Sequence, residues 1–186
     1  MKDQIELTLG LLKNSKLIGI GRAGNIEWFI FKPNIQVEYI KDDDLSSYEY
    51  FERIKDDDSP NYEYSLNVQC SWRIIGPEGI IVGSHDRYYP KGPDPYHDVE
   101  EFEWDVVGAN RCDEKVSDFL KNSATRRLEV LEIKADEIGG LHIGLSKNYA
   151  IELFPDDTVP GEYWRFFIRG FTKKHFVVTV GGIENG

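Results

Sequence analysis

The sequence is poor in features that tie a chain together covalently or anchor it in a membrane. It has two cysteines, Cys70 and Cys112, among 186 residues. Two are too few for a disulfide scaffold, and we expect reduced thiols rather than one bridge. No apolar run approaches the roughly 20 residues that a membrane-spanning helix needs, and the first residues lack the apolar stretch of a signal peptide. These absences predict a cytoplasmic protein without membrane contact.

Basic residues are also scarce relative to acidic ones. The chain has 22 Lys and Arg against 33 Asp and Glu, which gives a formal net charge of −11. Nucleic-acid binding requires Lys and Arg facing the phosphates, so we do not expect it. The surplus of acids favours solubility and attraction to basic surfaces.

The negative charge is concentrated in two segments. Residues 40–64 hold nine acids and three bases, and residues 94–105 hold six acids and no base, so each segment has a net charge of −6. The rest of the chain is nearly neutral. Two interpretations remain open for the acidic segments: solvated loops, or a binding face for a basic partner.

Length and composition predict a single folded domain over residues 1–186. Hydrophobic residues make up 40% of the chain and aromatic residues 13%, which excludes wholesale disorder. A chain of this length buries roughly 70% of the surface that it exposes when unfolded, so its core needs no covalent support.

Hydrophobic patterns predict an α+β fold with a predominantly antiparallel sheet. The clearest pattern covers residues 64–75, where alternate side chains from Tyr64 to Ile74 are apolar, which predicts one long strand with one buried face. The adjacent Val130 and Leu131 break a similar alternation and predict a bulge. Helices are predicted at residues 3–14 and 113–122. Nine further strands are predicted at residues 17–22, 26–31, 35–40, 80–84, 128–135, 141–146, 149–154, 163–168 and 175–180.

A short repeat lies inside the first acidic segment. Residues 40–44 (IKDDD) recur at 54–58, and Tyr48-Glu49-Tyr50 recurs as Tyr62-Glu63-Tyr64. Surface loops tolerate such a tandem duplication because each doubling of loop length costs only about 0.6 kcal/mol. We therefore predict that residues 41–62 form an acidic insertion between two strands.

A longer and fainter repeat relates residues 5–84 to residues 113–180. Trp72-Arg73 in the first matches Trp164-Arg165 in the second, and further matches follow in the same order. We predict two pseudo-symmetric halves, each of a helix plus five strands, related by a pseudo-twofold axis and joined by a connector at residues 85–110. Chance similarity between amphipathic strands is the competing explanation.

The two Trp-Arg pairs also carry a packing prediction. If Trp72 and Trp164 point into the core, Arg73 and Arg165 point outward, where acids across the strands can pair with them. Binding of an anionic ligand by the two arginines is the alternative.

No strong catalytic or cofactor signature is present. Gly19–Gly24 spells G-x-G-x-x-G, but a strand-like segment follows instead of the helix that a dinucleotide site needs, so a hairpin bend is expected. The Asp triplets lack the central glycine and closing glutamate of a calcium loop. The sequence therefore predicts no catalytic residue, no cofactor and no metal.

Two His-Asp pairs in the connector form an alternative candidate site. They could bind a transition metal or share acid-base work in a small hydrolase or metal-dependent enzyme. The competing interpretation is an exposed loop, with Tyr88, Tyr89, Tyr96 and Trp104 covering the sheet. The alternative site consists of His85, Asp86, His97 and Asp98.

The segments Val68–Ile74 and Glu162–Phe166, with His175–Val178, resemble small uncharacterised acidic bacterial proteins, some of them similar to immunity proteins of polymorphic toxins. The resemblance implies a non-enzymatic intracellular protein-binding module, and acids interleaved with tyrosines suit a basic partner. A small-molecule-binding domain, with its site between the two halves, remains a further alternative. The predicted partner-binding residues are Asp42, Asp43, Asp44, Tyr48, Asp56, Asp57, Asp58, Tyr62, Glu100 and Glu101.

Overall fold

A computed structural model describes residues 1–33, 62–94, 96, 102–170 and 175–185. Over these residues the fold is α+β, with two antiparallel sheets of six and five strands, which confirms the predicted class. The predicted third strand and nearly all of the acidic insertion lie outside the described residues. None of the described helices combines the length and apolar composition needed to cross a bilayer.

The α-helices of the described residues are α1 (Lys2–Leu9) and α2 (Arg111–Lys121), each within a few residues of its predicted position. The strands are β1 (Lys16–Ala23), β2 (Ile26–Lys32), β3 (Tyr64–Val68), β4 (Ser71–Gly76), β5 (Gly79–Gly83), β6 (Val130–Ala135), β7 (Leu141–Leu145), β8 (Tyr149–Phe154), β9 (Glu162–Ile168), β10 (Phe176–Thr179) and β11 (Gly182–Asn185). The six-stranded sheet has the order β1-β2-β3-β9-β10-β11, and the five-stranded sheet has the order β5-β4-β8-β7-β6. The sequence patterns did not predict β11.

The predicted single strand over residues 64–75 is wrong, because the chain changes sheets within it. β3 belongs to the six-stranded sheet and β4 to the five-stranded sheet. At the crossing, the backbone N–H groups of Gln69 and Cys70 both donate to the carbonyl of Tyr163. The alternating side chains are nevertheless all buried. The period of two continues across the break because both sheets turn their inner faces onto one core.

The predicted burial of both tryptophans is confirmed. Trp72 and Trp164 are among the largest fully buried side chains. The ring of Trp72 meets Phe29 edge-on at 5.3 Å, and the ring of Trp164 lies 6.0 Å from that of Phe176. Trp164 Nε1 donates to Gly139 O at 2.8 Å, whereas Trp72 Nε1 has no acceptor among the described residues.

The two arginines find acids in different ways. Arg73 Nε donates to Glu152 Oε2 at 2.6 Å, across the β4–β8 pair where the two residues are in register. Arg165 Nε donates to Glu162 Oε1 at 2.7 Å, and Glu162 lies on its own strand. The predicted cross-strand pairing therefore holds for Arg73, while Arg165 uses a neighbour along β9.

The strand orders of the two sheets correspond when the predicted halves are exchanged. Replacing β1 to β5 by β6 to β10, and the reverse, turns β1-β2-β3-β9-β10 into β6-β7-β8-β4-β5, which is the order of the five-stranded sheet. In this exchange β3 corresponds to β8.

Local irregularities fall at corresponding places as well. β1 has a register shift between Leu17 and Gly19, and β6 has one between Val130 and Glu132, where a bulge was predicted. Leu17 N donates to Leu128 O, and Val130 N donates to the carbonyl of Ser15, both at 2.9 Å. These two bonds flank an antiparallel bridge between Lys16 and Glu129, which joins the start of β1 to the start of β6. The pseudo-twofold itself stays a prediction, which superposition of the two halves in an experimental structure would test.

Candidate functional site

A buried polar cluster lies at the end of the six-stranded sheet where β1 turns into β2. Arg22 and Glu27 face each other in register across the hairpin, and both are at least nine-tenths buried. Three further buried or half-buried polar side chains come from the connector and from the start of α2. They are Arg87, Asn110 and Asp113.

The predicted hairpin bend at the glycine-rich segment is what brings Arg22 to this position. β1 runs through Ala23, and β2 begins at Ile26, so only Gly24 and Asn25 form the turn. Gly24 has φ +56°, a left-handed conformation that glycine adopts readily. The tight turn places Arg22 and Glu27 directly opposite each other.

Arg22 donates hydrogen bonds both to α2 and to the connector, and so joins the two. Its Nε and Nη2 donate to the two carboxylate oxygens of Asp113 at 2.7 and 2.8 Å. Nη2 also lies 3.2 Å from the carbonyl oxygen of Trp104 and 3.3 Å from that of Val106. Burial acts to raise the pKa of Asp113, but hydrogen bonds from Arg22 and from Gly108 N hold it below its usual range. The bidentate pair therefore stays charged and holds the connector backbone in place.

Asn110 completes the attachment of the connector to α2. As the N-cap residue, it accepts from Asp113 N at 2.8 Å through its side-chain oxygen. Its side-chain nitrogen donates to Trp104 O at 2.8 Å. Gly108 N donates to Asp113 Oδ2 at 2.7 Å. Side chains of the folded core therefore fix the backbone of residues 104–110. The exposed side chains of this segment are thus pre-organised for contact with a partner.

Glu27 is the unusual member of the cluster. It is 2% exposed, and its Oε2 has no hydrogen-bond partner among the described residues. Burial raises its pKa to about 8, although the charges of Arg87 and Arg22 act in the opposite direction. The carboxyl is therefore mostly protonated in the folded protein near neutral pH. A neutral carboxyl of this kind could act as a proton donor, but its burial keeps it away from any substrate in solution.

The cysteines are structural in this arrangement. Both are buried and free. Burial raises the pKa of Cys70 to about 12 and raises the pKa of Cys112 even though it lies in the first turn of α2. A helix N-terminus lowers the pKa of a thiol, but burial and the neighbouring Glu27 outweigh this effect at Cys112. Neither thiol is an activated nucleophile.

An exposed apolar surface lies on the connector beside this cluster, and we call it the connector face. The backbones of its two parts are joined, since Lys91 N donates to Ala109 O and Arg111 N donates to Tyr89 O. Of the four aromatic residues that were predicted to cover the sheet, Trp104 is half-buried and the three tyrosines are exposed. The connector face comprises Tyr88 (48% exposed), Tyr89 (37%), Tyr96 (77%), Val106 (50%) and Val107 (77%).

The rings of the connector face support one another. Tyr88 meets the half-buried Trp104 at 5.6 Å, and Tyr89 meets Tyr96 at 6.0 Å, both edge to face. Exposed acids accompany them at Asp94, Glu103 and Asp105. The surface therefore combines aromatic rings, two valines and negative charge, a composition suited to contact with another protein.

The structure describes one of the ten residues predicted to bind a partner. Tyr62 is half-buried and packs against the core. The other nine lie outside the described residues: Asp42, Asp43, Asp44, Tyr48, Asp56, Asp57, Asp58, Glu100 and Glu101. The role of the acidic insertion in partner binding therefore stays a prediction.

The alternative His-Asp site is described in part. His97 and Asp98 lie outside the described residues. Asp86 accepts from Gly83 N at 2.9 Å and lies 3.8 Å from the Arg111 guanidinium, and the ring of His85 lies 6.1 Å from that of Tyr88. Within the part of the chain that the structure describes, no group of His, Cys, Asp and Glu side chains could hold a metal ion.

Sequence reasoning missed the buried polar cluster, although one signal pointed to it. Glu27 alternates with Phe29 and Phe31 and so shares their buried face. The two-residue turn then predicts Arg22 opposite it. An acid on an apolar strand face, with a base at its hairpin partner position, was a readable sign of a buried charged site.

Comparison with known proteins found no similar sequence or structure. No protein-family model, no curated protein and no solved structure matches this chain.

Proposed function

We propose that this protein is a non-enzymatic protein-binding module that takes a basic partner protein on its connector face. The observation that carries the proposal is a set of exposed tyrosines and valines on the connector, where the buried guanidinium of Arg22 fixes the backbone next to the two valines. Large apolar side chains lose water when a partner covers them, which favours association.

The fixed backbone strengthens this interpretation. Loops that become ordered only on binding lose affinity through the entropy of ordering, and a loop that is already ordered avoids that loss. Val106 O accepts from Arg22, so the position of Val106 and Val107 relative to the sheets is set before a partner arrives. The two valines are therefore the best candidates for the centre of the contact.

The charge of the connector argues for a basic partner. Residues 94–105 contain six acids and no base, and three of these acids are exposed next to the connector face. Complementary charge speeds the encounter of two proteins and selects between partners. The acidic insertion, with its predicted residues Asp42 to Asp58, would extend the same negative field.

An immunity protein of a polymorphic toxin is the specific form of this proposal. Its support is the resemblance in the core strands, the acidic surface and the two free cysteines, which suit a cytoplasmic location. In that form, the adjacent gene encodes a basic partner.

The test is binding of the purified product of the adjacent gene, measured by calorimetry. We expect the double variant Val106→Asp, Val107→Asp to weaken binding about tenfold or more, since charged side chains replace apolar contact. The matched control replaces two other exposed valines, Val159→Asp and Val180→Asp, and should bind as the parent does. Absence of binding, or equal weakening in both double variants, contradicts the proposal.

A further inference from the structure

A cavity elsewhere in the molecule shares no residue with the connector face. Its described lining is rich in basic residues, whereas the connector face is accompanied by acids. The cavity has a volume of about 880 Å³ and lies between β1 and β2 on one side and the end of α2 with its following turn on the other. We call it the basic cavity. Its charged lining consists of Lys16, Lys32, Lys121, Arg126, Arg127 and Glu63.

Five positive charges around one cavity are unexpected in a chain of net charge −11. Glu63, the one carboxylate among the described lining residues, is already engaged, because Arg169 Nη1 donates to its Oε2 at 2.7 Å. No described carboxylate lies within 4 Å of the charged nitrogens of Lys16, Lys121, Arg126 or Arg127. Lys16, Lys121, Arg126 and Arg127 repel one another, and a bound anion would relieve that repulsion.

The cavity also has an apolar part. Leu17 is buried beneath it, Leu120 is half-buried in its wall, and both belong to the described core or pack against it. Its volume falls within the range of about 300–1,000 Å³ that is usual for small-ligand sites. Apolar walls with several cations suit a molecule that has both an organic body and a multiply charged group.

We propose that the basic cavity binds a small organic phosphate. Phosphate carries up to two charges and several acceptor oxygens, which guanidinium and ammonium groups contact together. The cations come from distant parts of the chain, since Lys16 begins β1, Lys32 ends β2, Lys121 ends α2, and Arg126 and Arg127 follow α2. The ligand therefore contacts both the first hairpin and the end of α2, and this site does not depend on the protein-binding function.

The first test is calorimetric titration of the full chain with ATP, pyrophosphate and inorganic phosphate at low salt. We expect ATP to bind more tightly than inorganic phosphate, with affinity falling as salt is added. The double variant Lys121→Glu, Arg126→Glu should lose about tenfold or more in affinity, because both side chains are exposed and can change without disturbing the core. The charge-matched control Lys91→Glu, Lys134→Glu should bind ATP as the parent does.

A second variant separates binding from folding. Arg127 has φ +58°, a left-handed conformation that disfavours side chains with a Cβ atom. Arg127→Gly should therefore raise the Tm while weakening ATP binding several-fold. The proposal is overturned if none of the three probes binds the parent, or if the cavity variants and the control lose affinity equally.

Discussion

The two hairpin ends of this molecule occupy corresponding places in the two sheets and have opposite chemistry. At the β1–β2 end, Arg22 faces Glu27, and both are buried. At the β6–β7 end, the corresponding pair is Ala135 and Leu141. One end carries a charged network and the other an ordinary apolar contact, although the strand order and register around them are alike.

The two ends differ in whether their hydrogen bonds are local or reach distant parts of the chain. At the β6–β7 end, the turn is closed locally, since the carboxylate of Asp136 accepts from Gly140 N at 2.7 Å. At the β1–β2 end, the side chain of Arg22 reaches 82 to 91 residues along the chain to hold the connector and α2. An apolar pair would suffice to pack the two sheets, so we infer that Arg22 serves the connector through its bonds to Asp113 and to the carbonyl of Trp104.

Breaking the polar end should have the largest effect. We expect Arg22→Met to lower the free energy of unfolding by about 3–5 kcal/mol, because it leaves Asp113 and several carbonyls half-buried without their donor. Urea denaturation measures this loss. The double variant Arg22→Met, Asp113→Asn should recover part of it, and a loss below about 1 kcal/mol in the single variant would show that Arg22 does not hold the connector.

Replacing Glu27 by the residue at the corresponding position of the β6–β7 end should show how much its burial lowers the free energy of unfolding. We expect Glu27→Leu, which copies Leu141, to raise the free energy of unfolding by a few kcal/mol at pH 9 and by much less at pH 5. Burial raises the pKa of Glu27 to about 8 in the folded protein, against 4.5 when exposed. Between these values the unfolded chain releases a proton that the folded protein keeps, so the parent loses stability as pH rises through this window.

Urea melts at pH 5, 7 and 9 measure this dependence on pH. The converse variant, Leu141→Glu, is the control and should destabilise the fold strongly, because the residues in register with Leu141 are the apolar Ala135 and Leu153. If Glu27→Leu instead destabilises the protein at pH 9, the carboxylate is charged and paired with Arg87, and the expected pKa is wrong.

The two tryptophans allow a finer comparison. Trp164→Phe removes the bond from Nε1 to Gly139 O, whereas Trp72→Phe removes an N–H group that has no acceptor among the described residues. We expect Trp164→Phe to lose about 1 kcal/mol more stability than Trp72→Phe, the usual net value of such a bond. Thermal melts of both variants measure the difference, and equal losses would show that the bond contributes nothing.

Deleting one copy of the short repeat, residues 40–53, should have the smallest effect. A core segment could not gain 14 residues without disrupting its packing, so the duplicated segment should not support either sheet. We expect the shortened chain to fold with a Tm within a few degrees of the parent and to bind a basic partner with weaker dependence on salt. A chain that fails to fold would show that the insertion is structural.

Alternation of apolar residues was enough to predict most strands, the burial of Trp72 and Trp164 and the bulge at Leu131. These depend on local geometry, since side chains of a strand point to opposite faces whatever the strand pairs with. The change of sheet at Cys70 could not be predicted from this pattern, because two strands in sheets around one core show the same alternation as one long strand.

The sequence by itself determined the fold class, the inward faces and the chemical types available at each position. Tertiary structure alone decided that Glu27 loses its water, that the tyrosines of the connector are exposed, and that five cations from the first hairpin and the region around the end of α2 line one cavity. Each of these depends on residues far apart in the chain being brought together, and the energies of burial and charge act on distances in space rather than along the sequence.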